Sequence, residues 1–134
     1  MLRLAASAHA ALVGHAYDGL PDEACGLLLG DPDAGVVPRF HPTNNAASSS
    51  RVYSIGPRDY LDADDAAADA GLAIVGVVHS HTHTDAYPSP TDVEQAPDPE
   101  WHYVIVSLKY GAPVVRSYRI VDGAIAEEPV VVEA

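Results

Sequence analysis

The stretch LAIVGVVHSH, residues 72–81, constrains the fold of this chain more than any other, because it is the most hydrophobic segment and ends directly in two histidines. A short apolar run of this kind predicts a buried strand. The two histidines are therefore predicted to lie at the end of that strand.

Helices and strands are predicted on both sides of this segment. Residues 5–18 are predicted as a helix by the helical spacing of their apolar side chains, and residues 56–70 by the Gly-Pro pair that opens them. Strands are predicted over the remaining apolar runs, at residues 1–4, 24–30, 35–42, 51–55, 72–81, 102–108, 113–121 and 124–132. The strand at 35–42 is expected at a sheet edge because it contains Pro38. This order is typical of an α/β fold with a mixed, largely antiparallel sheet flanked by helices, and we predict one domain over residues 1–134.

The charge of the chain limits its partners. It carries 19 acidic and 7 basic side chains, a formal net charge of −12. This field repels nucleic acid and anionic membranes, so we predict neither as a partner, and it favours a partner with a basic face.

A single cysteine, Cys25, excludes an internal disulfide framework and a Cys-rich zinc site. With no adequate apolar core for a signal peptide and no run near the roughly 18 apolar residues of a membrane span, a cytoplasmic protein is predicted.

The segment HSHTHTDAYPSPTD, residues 79–92, concentrates possible metal ligands. On a strand, residues i and i+2 point to the same face about 6.6 Å apart, so His79 and His81 can reach one metal ion. A catalytic zinc site typically has three protein ligands, for which Asp92 is the natural third. His83 has the same parity but lies beyond the predicted strand end, so we expect it at the rim of the site.

Each of these residues also has an explanation that needs no metal. A histidine pair at a strand end is more often exposed or hydrogen-bonded than bound to a metal. The run from Ser89 to Asp92 has the pattern of a capping box, with serine at the N-cap, proline at N1 and an acid at N3. The two interpretations are compatible, since a helix start fixes both side chains of the cap.

The spacing His-x-His, seven residues, Ser, two residues, Asp resembles the signature of the JAMM/MPN+ (JAB) metalloproteases at every required position. That family also has a glutamate at the start of the strand after the first helix, and LPDEACGLLLG supplies it as Glu23. The stretches PDEACG, HYVIVS and RSYRIVDG extend the resemblance over nearly the whole chain, most closely to the actinobacterial CysO-cysteine peptidase branch. The resemblance implies the JAMM/MPN fold, which is cytidine-deaminase-like.

The same resemblance implies a zinc-dependent peptidase. In it, His79, His81 and Asp92 hold Zn²⁺. Glu23 is the general base, which takes a proton from the attacking water and returns it to the leaving amine. Ser89 helps to stabilise the developing oxyanion. The implied substrate is the C-terminal Gly-Gly tail of a ubiquitin-like sulfur-carrier protein, cleaved from cysteine in cysteine biosynthesis.

Two other functions are compatible with parts of the pattern. The same site would serve an isopeptidase that removes a ubiquitin-like modifier from protein lysines. A non-catalytic MPN scaffold is the alternative of another class, although such modules generally lose the ligand set that is present here.

Cys25 is expected to be a buried small hydrophobe with a raised pKa rather than a nucleophile. Asn44 and Asn45 are ordinary turn residues by sequence.

Overall fold

The computed structural model of the chain describes residues 1–33 and 35–134. The helices of this part of the chain are α1 (Ala6–Asp18), α2 (Pro57–Asp69) and the short α3 (Pro90–Glu94). Its strands are β1 (Leu2–Ala5), β2 (Cys25–Gly30), β3 (Val36–Val37), β4 (Arg39–Thr43), β5 (Ala73–His81), β6 (His102–Ser107), β7 (Val114–Val121), β8 (Ala124–Glu128) and β9 (Val130–Glu133).

The main sheet has six strands in the order β4-β2-β5-β6-β7-β8. Its neighbours are antiparallel except β5 and β6, which are parallel and are connected through α3. A smaller sheet, in the order β3-β1-β9, has parallel pairs only. The predicted α/β fold with a mixed, largely antiparallel sheet is therefore confirmed, and the small parallel sheet is an addition to it.

Strand β5 lies in the middle of the main sheet, and its two faces pack against different helices. Val78 belongs to the core cluster that contains the buried side of α1, whereas Val77 belongs to the cluster that contains Ala63 of α2. Because side chains alternate along a strand, His79 and His81 lie on the same face as Val77, and Ser80 lies on the α1 face. The strand thereby directs the two histidines to one side of the sheet.

Two predicted strands are each divided by a proline. The run 35–42 splits at Pro38 into β3 and β4, and the run 124–132 splits at Pro129 into β8 and β9. In both cases the chain passes from one sheet to the other, because proline has no N–H for the ladder of either sheet.

The predicted strand at residues 51–55 is wrong. This segment is irregular, although its sequence RVYSI has strand-forming residues. Its backbone is bound by nearby loop residues instead of a neighbouring strand. Asn45 accepts a hydrogen bond from Ser54 N and donates one to Val52 O, Ser49 Oγ accepts one from Arg51 N, and Ala46 N donates one to Ser54 O. Strand propensity has no effect here because no strand lies beside the segment to complete a ladder.

None of the helices in the described ranges combines the length and the apolar character that a membrane crossing requires.

Candidate metal centre

Two local structures bring the predicted metal ligands together. His79 and His81 are the last positions of that face of β5, and both are only 4% exposed. Asp92 lies in the first turn of α3, where the capping box predicted from the sequence is present. Ser89 Oγ accepts a hydrogen bond from Asp92 N at 3.1 Å, and Asp92 Oδ2 accepts one from Ser89 N at 2.9 Å. The helix start thus fixes the carboxylate above the end of the strand.

The three ligand atoms form a triangle with equal sides. His79 Nε2, His81 Nε2 and Asp92 Oδ2 are each 3.1 Å from the other two. Atoms bound at 2.0–2.1 Å to one tetrahedral zinc ion are separated by about 3.3–3.4 Å. Two imidazole nitrogens and one carboxylate oxygen are also a donor set that zinc prefers. In geometry and in chemistry, the residues present fit Zn²⁺ with one coordination position left open.

The tautomer of His81 suits a metal ligand. Its Nδ1 lies 2.7 Å from the carbonyl oxygen of Asp85, which can only accept a hydrogen bond. Nδ1 must therefore carry the proton, and in the neutral ring the lone pair is left on Nε2, which faces Asp92. A backbone carbonyl in the loop after β5 thus orients this imidazole.

The pKa shifts of the three ligand side chains favour an ionised Asp92 beside the two histidines. Burial raises the pKa of Asp92, but its hydrogen bonds with His79 and His81 outweigh burial and hold that pKa far below the usual range. Burial lowers the pKa of His79 and outweighs the hydrogen bond and the charge of Asp92, which raise it. Burial lowers the pKa of His81, but the hydrogen bonds that the protonated ring donates to Asp92 and to the Asp85 carbonyl outweigh burial and raise that pKa. An ionised carboxylate beside a neutral imidazole is the state that a cation would bind.

The predicted general base, Glu23, lies just before β2 and is only 4% exposed. Among the described residues, its Oε1 atom is buried without a hydrogen-bond partner. Burial raises its pKa to about 7, while the nearby charge of His81 lowers the pKa and that of Asp92 raises it. A buried carboxyl that titrates near neutral pH beside a metal centre is a typical general acid–base.

Residues 5–121 match the family described as prokaryotic homologs of the JAB domain. The chain belongs to this family. Among its relatives, the CysO-cysteine peptidase of Mycobacterium tuberculosis is 46% identical over 121 residues, which are 90% of this chain and 83% of that protein. The desampylase of Haloferax volcanii is 40% identical over 111 residues, or 79% of this chain and 80% of that protein. The solution structure of a Desulfitobacterium hafniense protein has a TM-score of 0.91 and 35% identity, and the match covers 99% of this chain and 93% of that one.

This JAB domain combines the predicted residues at one end of its main sheet, where the start of β2 pairs with the end of β5. The structure brings His79, His81 and Asp92 into contact and sets Glu23 within electrostatic reach of them. Ser89 is half-buried and caps α3 through its acceptor oxygen. His83 is exposed, as expected of a rim residue.

Two residues of this JAB domain's site were missed by sequence reasoning. Tyr53 stacks on His79 with ring centroids 4.3 Å apart and an interplanar angle of 19°. Asn45 donates hydrogen bonds from Nδ2 to the carbonyl oxygens of Glu23 and Val52 at 2.9 and 3.0 Å. The sequence contained no periodicity or motif that links these positions to the rest of the site, because Tyr53 is 26 residues from His79 and Asn45 is 22 residues from Glu23.

Cys25 takes the position expected of a structural thiol. It is 1% exposed in β2 of the JAB domain, and burial raises its pKa. Its sulfur lies 3.4 Å from Thr43 Oγ1. A buried thiol with a raised pKa is a poor nucleophile, so this residue serves packing.

Proposed function

We propose that this chain is a zinc-dependent metallopeptidase that hydrolyses the bond after the C-terminal Gly-Gly tail of a ubiquitin-like sulfur-carrier protein, releasing cysteine from a carrier–cysteine conjugate. The observation that carries the proposal is the convergence of His79, His81 and Asp92 on one point, 3.1 Å apart, beside the buried carboxyl of Glu23. The relatives named as peptidases support the reaction class.

His79, His81 and Asp92 would hold the metal in this reaction. When bound there, Zn²⁺ supplies Lewis acidity, which polarises the scissile carbonyl and favours ionisation of the attacking water. The side chains of the three ligands are only 4–10% exposed, and electrostatic interactions are stronger in such a buried site than in water.

Glu23 performs the proton transfers in this proposal. Its Oε1 atom is buried and has no hydrogen bond to any described residue, so it is available to the attacking water. The carboxylate takes a proton as the water oxygen bonds to the carbonyl carbon of the terminal glycine. It returns that proton to the nitrogen as the C–N bond breaks, so that cysteine leaves as an amine and the tail as a carboxylic acid, which then releases its remaining proton to solvent.

Ser89 has a free hydroxyl proton for the developing oxyanion. A serine hydroxyl has one donor and two acceptor positions. Capping uses an acceptor position, because Ser89 Oγ accepts from Asp92 N. The O–H remains available to donate to a carbonyl oxygen that gains negative charge, an interaction whose removal typically costs about 10²–10³ in kcat.

The burial of the site supports a glycine tail. His79 and His81 are 4% exposed and the Asp92 side chain 10%, so the backbone of a substrate must approach closely. Glycine is the residue that permits such an approach, because it has no Cβ. The net charge of −12 supports a carrier that docks through basic residues.

The two alternative functions receive less support. A non-catalytic scaffold has no need of a complete ligand triangle with a buried carboxyl beside it. An isopeptidase acting on lysine conjugates would use the same residues, but the M. tuberculosis relative, at 46% identity, is named for a cysteine conjugate. The cytoplasmic location inferred from the sequence stays a prediction, which cell fractionation tests.

The proposal is tested with two synthetic conjugates of one Gly-Gly-ending carrier, joined either to cysteine or to the side-chain amine of a lysine peptide. Each is incubated with the zinc-loaded protein, with and without a chelator, and the products are weighed by mass spectrometry. We expect the cysteine conjugate to lose the mass of one cysteine residue, and the chelator to prevent this loss. Preferential cleavage of the lysine conjugate would favour the isopeptidase, and two intact conjugates would contradict both.

A further inference from the structure

The two histidines of the metal centre are held in different ways. His81 is oriented by a hydrogen bond from Nδ1 to the Asp85 carbonyl. In the described part of the chain, the hydrogen bonds of the His79 side chain are all made by Nε2, the atom that faces His81 and Asp92. The orientation of the His79 ring therefore depends on packing against its faces.

The ring of Tyr53 supplies that packing. Its centroid lies 4.3 Å from that of His79, and the near-parallel angle of 19° places one ring flat on the other. By contrast, His81 meets His79 edge-on, at 5.0 Å and 64°. A flat aromatic contact prevents the imidazole from rotating about its Cβ–Cγ bond, so Nε2 stays directed at the other two ligands.

The segment that carries Tyr53 is not part of a strand ladder. Ser49 and the backbone of Ala46 bind parts of it, and Asn45 binds the residues on either side of Tyr53. Asn45 Nδ2 donates to Val52 O at 3.0 Å and its Oδ1 accepts from Ser54 N at 3.0 Å, so the bonds lie on both sides of Tyr53. The same amide donates to Glu23 O at 2.9 Å. The Asn45 side chain thus holds both the segment whose Tyr53 ring covers His79 and the backbone of Glu23.

We propose that Tyr53 is a positioning residue for the metal, acting through its ring on His79, and that Asn45 holds it in register with Glu23. The inference rests on the proposed metal site and adds to it a layer of support formed by the irregular segment 45–54. Substitution of a residue that orients a metal-binding histidine commonly lowers the affinity for the metal by about 10–100-fold. The stacking uses the ring and not the hydroxyl, which has no hydrogen bond to the described residues.

The test compares Tyr53→Phe with Tyr53→Leu. Zinc affinity is measured by competition with a chelating dye, the ligand geometry by the visible spectrum of the cobalt-substituted protein, and the fold by thermal unfolding of the metal-free protein. We expect Tyr53→Phe to keep the parent affinity and spectrum, whereas Tyr53→Leu loses on the order of 10-fold in zinc affinity and alters the spectrum. Parent values for both properties in Tyr53→Leu would overturn the proposal.

A second variant covers the case in which Tyr53→Leu does not fold. Asn45→Asp is nearly isosteric but replaces the Nδ2 donor by an oxygen, which faces the carbonyls of Glu23 and Val52. We expect reduced zinc affinity in Asn45→Asp and parent affinity in Asn44→Asp, whose side chain is exposed. Equal affinities would overturn the role of Asn45. Failure of the unsubstituted protein to bind zinc would instead contradict the proposed function itself.

Discussion

Ser80 Oγ accepts a hydrogen bond from Ala24 N at 2.8 Å, and Ser80 N donates one to Ala24 O at 2.9 Å. Ser80 is the middle residue of the His-x-His pair and is 1% exposed, while Ala24 directly follows Glu23. The side chain that points away from the candidate metal site therefore joins β5 to the segment that contains Glu23, the proposed general base. The same three residues thus supply two of the proposed ligands and fix the backbone next to Glu23.

The first prediction concerns this bond. Ser80→Ala leaves the Ala24 N–H buried without its acceptor, which is expected to lower the free energy of unfolding by about 1–3 kcal/mol. Urea unfolding of the metal-free protein measures the loss. Ser54→Ala is the matched control, because that side chain is exposed and the hydrogen bonds of Ser54 are made by its backbone. Equal stability of Ser80→Ala and the parent protein would show that the bond contributes nothing.

The second prediction concerns the ligands. His81→Ala removes one vertex of the triangle, so bound zinc should fall from about one ion per chain to near zero. His83→Ala is the control, because His83 is a nearby histidine of the same strand parity but is exposed. Elemental analysis after dialysis measures the zinc content of both variants. Retention of stoichiometric zinc in His81→Ala would exclude His81 as a ligand.

The third prediction separates metal binding from catalysis. Glu23→Gln preserves the shape of the side chain but cannot accept a proton, so turnover should fall by at least about 10²-fold. Its zinc content should equal that of the parent protein, because Glu23 is not among the three converging ligand atoms. Rates on the carrier–cysteine conjugate and elemental analysis of the same preparation test both parts. Cleavage at the parent rate would contradict the general-base assignment.

The fourth prediction is the pH dependence. Burial raises the pKa of Glu23 to about 7, and the base must be ionised to act. As the pH falls through that pKa, the carboxylate becomes protonated and kcat/KM should decrease tenfold per unit. A bound cation lowers the pKa of a neighbouring acid, so the acidic limb should lie at or below pH 7 in the zinc-loaded protein.

Two controls accompany the pH profile. The residual rate of Glu23→Gln should lack the acidic limb, because glutamine does not titrate. Zinc content measured at each pH distinguishes protonation of the base from loss of the metal. A rate that is independent of pH between 5 and 8, with zinc retained, would contradict the prediction.

The fifth prediction separates the two roles of Ser89. Ser89→Ala removes the N-cap acceptor and is expected to destabilise the protein by about 1 kcal/mol, whereas glycine at an N-cap costs only a few tenths. Both variants lack the hydroxyl and should lose about 10²-fold in kcat. Denaturant unfolding and steady-state kinetics measure the two effects. Parent kcat in the more stable Ser89→Gly would leave capping as the sole role of Ser89.

Much of the fold was predictable from local patterns. The helices α1 and α2 and the buried strands β2 and β5 lie where apolar spacing and the Gly56-Pro57 start place them. Such elements are predictable because the period of their apolar residues matches the geometry of one helix or strand. The capping box at Ser89 was predictable for the same reason, since all of its atoms lie within one turn.

The strand errors have a tertiary cause. The prolines at 38 and 129 were visible, but only the arrangement of the sheets makes each one a passage between two ladders. The segment RVYSI has the composition of a strand, yet a strand also needs a neighbour, and its backbone bonds go to Asn45, Ser49 and Ala46 instead. Amino-acid composition does not determine which hydrogen-bond partner a backbone N–H or C=O group has in the folded protein.

The sequence by itself determined the donor set of the metal centre, because one strand and one helix start fix the directions of His79, His81 and Asp92 within 14 residues. Only the tertiary structure decided that Glu23 is buried beside them, that Ser80 ties its backbone to the ligand strand, and that Tyr53 covers His79. These relations join segments 26 to 69 residues apart. Burial, desolvation and stacking between such segments arise only when the chain packs, so no local pattern can encode them.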